Sequence, residues 1–397
     1  MIRPEHDASQ APYIVIAPDA FKESCSAAEV AAAIAAGVRR RLPQAHCVQI
    51  PIADGGEGTL AAVAAATGGD LHVLTVEDAV GRPCQAPWLA LADGTALIEL
   101  AQAAGLEAVP PAARDPWRTS TYGVGQLLRA ALDQGCSHLV LTLGGSATND
   151  AGAGMLQALG VKLLDAAGQD IARGARGLAS LARIDPRGLH PRLREVVVEV
   201  AVDVDNPLCG ARGATAVYGP QKGLPASEVY AMDAVLADFA RRVATVVGHD
   251  ASASPGAGAA GGTAFAALAF LGASARPGFA LVADHVGLAR HVAQADLVFV
   301  AEGSLDAQTA AGKAPAGVIG LARAAGVPVV ALCGALRPGY EALYATGLTA
   351  AFSITAAPMS REAAFAATRE RLAAVAADVV SLRFGGRPSG GAAGPQS

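Results

Sequence analysis

Aromatic residues make up only 4% of this 397-residue chain, and its formal net charge is −5. With few stacking platforms and no basic footprint, nucleic-acid binding is not expected. Charged residues reach just 16% against 52% hydrophobic, which excludes a disordered chain and describes compact globular material. The six cysteines, at 25, 47, 84, 136, 209 and 333, form no CxxC pair and no His-paired metal spacing. Neither a disulfide framework nor a zinc motif is therefore expected, and reduced thiols in a cytoplasmic protein are. The first ten residues carry no apolar run, which argues against a secretory leader. One uncharged stretch, 256–275, mimics a membrane span, but it is mostly Ala and Gly with few large apolar groups. A buried helix following a glycine loop is expected there instead, and no membrane partner.

Several catalytic signatures are missing as well. GK at 312–313 is followed by Ala314 rather than Ser or Thr, so it does not complete a Walker A loop. The GxGxxG match at 256–261 lacks both a preceding strand and a following acidic residue at the required spacing. No protein-kinase signature, GxSxG or HExxH occurs, and no histidine lies in the polar loops described next.

What the chain does have is concentrated in those loops. The segment HLVLTLGGSATNDAGAG (138–154) reads as a buried strand emptying into a loop with Gly144, Gly145, Ser146, Thr148, Asn149 and Asp150, then a helix from about Met155. Ligands of open α/β sheets sit at the carboxyl ends of strands, and glycines let backbone N–H groups approach a phosphate. An aspartate there repels phosphate unless a cation mediates, so the loop reads as a site for a Mg²⁺-bound phosphate or a polyhydroxy acid. Similar polar loops follow at 17–24, 53–59, 203–210, 219–223 and 301–317. Only four residues are lysine, against 26 arginines, yet Lys22, Lys222 and Lys313 all fall in these loops. Lysine is a compact charge suited to phosphate and, when desolvated, to proton transfer.

The candidate binding residues are thus Gly55, Gly56, Glu57, Gly58, Thr59, the 144–150 set, Asn206, Lys222, Glu302, Asp306 and Lys313. Phosphoryl transfer needs charge neutralisation, a bound Mg²⁺ and an oriented hydroxyl. Asp203 ends a buried strand before a rigid Asn-Pro turn and is the first choice for proton acceptor. Lys22 is the cationic partner in catalysis, and Asp54 and Asp205 are the candidate metal ligands. Asp54 is the alternative base, and residue types alone leave that exchange open.

The rhythm of elements suggests an α/β fold of two domains. Strand–helix alternation with a capping box at Ser26 and Glu29 opens the chain and implies parallel strands. Two strand-like runs flank the Asp93–Gly94 turn signal, which implies antiparallel pairing in a different domain. Alternation returns from about 284. The expected division is 1–72 with 284–383 as a discontinuous parallel-sheet domain, 73–283 as an inserted mixed-sheet domain, and 384–397 as a disordered low-complexity tail.

The motifs APDAFKES, IPIADGGEGT, LGGSATNDAGAGMLQALG, DVDNPLCG, GPQKG, GAGAAGG and EGSLDAQTAAGKAPAG occur in this order across residues 13–380. In this the chain resembles the bacterial type 1 glycerate kinases. The resemblance implies ATP-dependent phosphorylation of D-glycerate to 2-phosphoglycerate, in a cleft between a flavodoxin-like discontinuous domain and a second α/β domain. ATP and Mg²⁺ would be the cofactors, and a homodimer is compatible with it. Cys25 departs from the apolar residue more usual there. The competing readings are a kinase of a related small hydroxy acid and a Mg-dependent lyase or isomerase on the same scaffold.

Overall fold

The computed structural model describes residues 11–310 and 312–385. The N-terminal decapeptide and nearly all of the expected disordered tail lie outside the described residues. The chain divides into two compact units, 1–52 with 286–397, and 53–285.

The first unit holds a five-stranded, wholly parallel sheet. Its order is Ala350–Ser353, Val329–Leu336, Leu297–Leu305, Tyr13–Pro18, His46–Gln49. Numbered within this unit the order is 2-1-3-4-5, the flavodoxin-like arrangement, with its topological switch point between Tyr13–Pro18 and Leu297–Leu305. Val, Ile, Leu and Phe of the strands Tyr13–Pro18 and Leu297–Leu305 are fully buried, as both-face coverage demands. The helix Ala27–Arg41 starts where the sequence says it should. Ser26 Oγ accepts from the Glu29 N–H, and the Glu29 carboxylate accepts from the Ser26 N–H in return. Arg39, Arg40 and Arg41 fill its last turn, favourably placed against the helix dipole.

That helix packs on Arg361–Phe384 through Gly37. A Cβ at Gly37 would lie 2.1 Å from the Ala373 carbonyl oxygen, so the two helix backbones touch. Gly37→Ala is accordingly expected to destabilise this unit by about 1–3 kcal/mol through overpacking, despite alanine's better helix propensity. A melting temperature at or above wild type would refute the contact.

The second unit is built on a six-stranded mixed sheet in the order Ser274–Arg276, Val197–Ala201, His138–Thr142, Thr95–Glu99, Pro83–Ala90, Asp70–Glu77. The first four strands are parallel and the last three form an antiparallel meander. The Asp93–Gly94 turn does close a hairpin, with Gly94 at φ +86°. A two-stranded antiparallel ribbon pairs Lys162–Leu164 with Arg183–Asp185. Helices Tyr122–Asp133, Val229–Val247 and Ala259–Phe270 bury Leu127, Leu128, Leu236, Phe239 and Phe265 in one continuous core. Among the described residues no helix is long and apolar enough to cross a membrane.

The first crossing between units falls at 52/53, not at 72. A boundary at 72 would cut the strand Asp70–Glu77, which pairs along its whole length with Pro83–Ala90. The helix Thr59–Thr67 is likewise tied to this unit. The fully buried Glu99 carboxylate, at the end of a core strand, accepts hydrogen bonds from the Gly58 and Leu60 N–H groups at 3.1 and 2.8 Å. The helix expected to open at about Met155 begins at Ala153.

Candidate active site

In the second unit the parallel strands His138–Thr142 and Val197–Ala201 empty into loops at the same sheet edge. Beside them the 54–56 segment closes a cavity of about 360 Å³. Asp54, Gly55, Gly56, Gly144, Gly145, Ser146, Asp203, Tyr218 and Lys222 are among its lining residues. Glycine here is required by approach. A Cβ on Gly144 would sit 2.4 Å from the Gly56 Cα, and the Gly144 N–H donates to the Gly55 carbonyl at 3.3 Å. Gly144→Ala should therefore separate the two loops and lower kcat/KM at least tenfold. Unchanged kinetics would remove the loop contact from the site.

Asp203 Oδ1 accepts the Gly278 N–H at 2.8 Å, and Asp54 Oδ1 accepts the Gly56 N–H at 3.1 Å. Burial of its carboxyl end pushes the Asp203 pKa up, although the residue keeps a solvent-exposed side. The Gly278 hydrogen bond opposes that rise, and the Asp54 charge adds to it. Lys222, only 2% exposed, donates to Ser146 Oγ at 2.8 Å and to the Thr148 carbonyl at 2.7 Å. Burial lowers its pKa to about 7, with the Asp150 charge acting in the opposite sense. Two of the three ammonium donors are accounted for, and one remains for a ligand.

The rest of the 144–150 loop is spent on holding itself in place. Asp150 is fully buried and accepts from Thr121 N–H and Oγ1, Gly152 N–H and Gly154 N–H. Burial raises its pKa against those four donors. Asn149 donates to Thr215 Oγ1 and points at the Met232 sulfur. The GAGAAGG loop braces this segment from outside. Ala260, Gly261 and Gly262 run consecutively left-handed, and a Cβ on Gly261 would lie 2.0 Å from the Thr148 carbonyl oxygen. Asn206 is engaged by Tyr218 and by the Arg212 carbonyl, fixing the turn after Asp203. Asp205 lies outside the cavity wall and pairs with Arg212 at 2.8 Å, both exposed. Thr59 Oγ1 donates to the Gly56 carbonyl, and Glu57 is exposed beside Gly145.

The first unit has its own polar pocket, about 730 Å³, at the switch point of its sheet. Lys22, Glu302, Asp306 and Lys313 line it together with Asp19, Ser304, Arg337, Arg361 and Arg371. Glu302, 8% exposed, accepts from Lys313 Nζ at 3.1 Å and from Thr309 Oγ1 at 2.8 Å. Asp306 accepts from the Gln308 and Thr309 N–H groups, which lowers its pKa and makes it a turn-former. Lys22 is exposed at the rim.

Sequence reasoning missed Glu99, Gly278 and the three arginines. A lone glutamate ending the apolar run TALIE was the available signal for Glu99. The arginines carried none, because they come from separate segments.

Residues 14–383 match the family described as the glycerate kinase family. A glycerate kinase of Halalkalibacterium halodurans is 47% identical over 88% of this chain and 93% of its own length. A glycerate 2-kinase of Escherichia coli K12 is 41% identical over 95% of this chain and 100% of its own. A crystal structure from Salmonella typhimurium LT2, assigned as glycerate kinase 2, is 44% identical. It superposes with a TM-score of 0.86 over 95% of this chain and 99% of that one.

Proposed function

The chain belongs to the glycerate kinase family, and from that premise we propose that it transfers the γ-phosphoryl group of ATP to the 2-hydroxyl of D-glycerate. The observation that carries the reading is the convergence of Asp54, the 144–146 loop, Asp203 and Lys222 on one cavity at the carboxyl ends of parallel strands. Asp203 takes the hydroxyl proton. The freed oxygen attacks the γ-phosphorus, the bond to the β-phosphate bridging oxygen breaks, and ADP leaves. Lys222 offers its remaining N–H to the substrate carboxylate or to phosphate. Lys22 is a cation of the first unit's own pocket, there to meet an anionic phosphate.

The donor chemistry suits Mg²⁺, which is held by one or two carboxylates with phosphate and water. In the hydrogen bonds among the described residues, Asp54 and Asp203 each accept through Oδ1 alone, so Oδ2 of Asp54 remains for the metal. When bound, the ion neutralises charge on the transferring phosphates. Asp205, paired with Arg212, has no part in this arrangement.

The test is a coupled ADP-release assay with ATP, Mg²⁺ and D-glycerate, followed by NMR of the product. Glycerate-dependent ADP release with phosphate on C2 is expected. Phosphate on C3 overturns the regiochemistry. A faster rate with another hydroxy acid overturns the substrate, and no glycerate-dependent release overturns the reading itself.

A further inference from the structure

The strand His138–Thr142 runs toward the cavity, so its first residue lies roughly 15 Å from the cavity loop at about 3.3 Å per residue. Register places Thr95 opposite His138 and Glu199 opposite Val140, with Ser274 opposite Glu199. Alternation along each strand then puts His138, Glu199, Thr95 and Arg276 on one face of the sheet. The helix Gly278–His285 ends over that face with His285.

His138 Nε2 stands 2.8 Å from Glu199 Oε2, and the two imidazole rings are 5.4 Å apart centre to centre. One ligand atom from each of His138, Glu199 and His285 lies within 4.8 Å of the others, and all three residues are half-buried. No other group of three or more such side chains among the described residues meets that geometry. Supporting contacts surround it. Arg276 holds the second Glu199 oxygen at 3.1 Å and also pairs with Asp284, while Thr95 Oγ1 faces His138 Nδ1 at 3.4 Å. Such outer partners fix ring orientation and leave Nε2 directed at the shared point.

We propose that His138, Glu199 and His285 bind one divalent transition-metal ion, zinc first, at the amino-terminal edge of the parallel strands. Two imidazole nitrogens and a carboxylate oxygen suit Zn²⁺, with water in an open position. Mg²⁺, which prefers oxygen donors, is not the ion for this site. The ion pins the last residue of the helix Gly278–His285, which spans about 12 Å. The first residue of that helix, Gly278, donates its N–H to Asp203. The metal thus stabilises the frame of the reaction cavity without entering the chemistry.

Metal-stripped full-length protein is titrated with Co²⁺ and, separately, Zn²⁺. Bound metal is counted by mass spectrometry and the Co²⁺ ligand-field bands are recorded. Wild type should bind one equivalent with nitrogen–oxygen bands and gain melting temperature on adding Zn²⁺. His285→Ala and His138→Asn should each lose more than the roughly 10–100-fold in affinity that follows loss of a supporting hydrogen bond. Both should keep kinase activity without added zinc. Failure of wild type to bind an equivalent overturns the site and leaves His138–Glu199 a hydrogen-bonded pair. Binding undiminished in both variants overturns it, and thiolate charge-transfer bands in wild type overturn it by assigning the metal to cysteine.

Discussion

Asp203→Asn is expected to lower kcat by about 10²–10⁴-fold, the range contributed by a positioned general base, with ATP binding retained. The amide keeps the oxygen that accepts the Gly278 N–H, so the strand end should stay in place. What it loses is the capacity to take a proton. The wild-type carboxyl titrates above the ordinary aspartate range, raised by burial and by Asp54 and held back by Gly278. A base must be deprotonated to act, so the acid limb of kcat/KM should lie above that ordinary range. It should move toward lower pH in Asp54→Asn as the repelling charge disappears. Metal dependence separates the two carboxylates. Asp54→Asn should recover partly at high Mg²⁺ and Asp203→Asn should not. The reverse pattern exchanges their roles, and near-normal kcat in Asp203→Asn removes it from catalysis.

Lys222→Met should cut kcat/KM for glycerate by two orders of magnitude or more, since it deletes a buried ammonium and frees the Ser146–Thr148 segment it holds. The pH dependence identifies the role. With its pKa lowered to about 7, the free enzyme loses this cation as pH rises through neutrality. If Lys222 binds an anion, the wild-type kcat/KM profile should carry an alkaline limb near pH 7 that Lys222→Met abolishes. Stability moves the other way. The unfolded lysine binds a proton up to its ordinary pKa and the folded one releases it near 7, so the unfolded state binds more protons between those values. Wild-type stability should therefore rise with pH over that window, and the variant should show a flatter slope. An unchanged alkaline limb in the variant would leave Lys222 as a clamp on the loop and nothing more.

Much of this molecule could be read from local patterns. The capping box at Ser26, the Asp93–Gly94 hairpin and the return of strand–helix alternation near the C-terminus are local signals, and each produced its element. Apolar runs ending in glycine-rich polar loops marked where ligand chemistry belongs, because carboxyl ends of parallel strands leave backbone groups exposed there. The order of those motifs carried the family resemblance. Tertiary structure decided the rest. Glu99 ties the helix Thr59–Thr67 to its sheet by reaching 39 and 41 residues back along the chain, which moves the domain crossing from 72 to 52/53. Asp54, Asp203 and Asp205 look alike in sequence. Only packing turns Asp205 outward to Arg212 and brings Asp203 under the influence of Asp54. Likewise, composition counts Lys222 as one of four lysines, and only burial makes it a group that titrates near neutrality. Local periodicity marks elements because the burial pattern of a helix or strand follows its own repeat of side-chain directions. Charge state and partner choice depend on desolvation by residues distant in sequence, which no local pattern encodes.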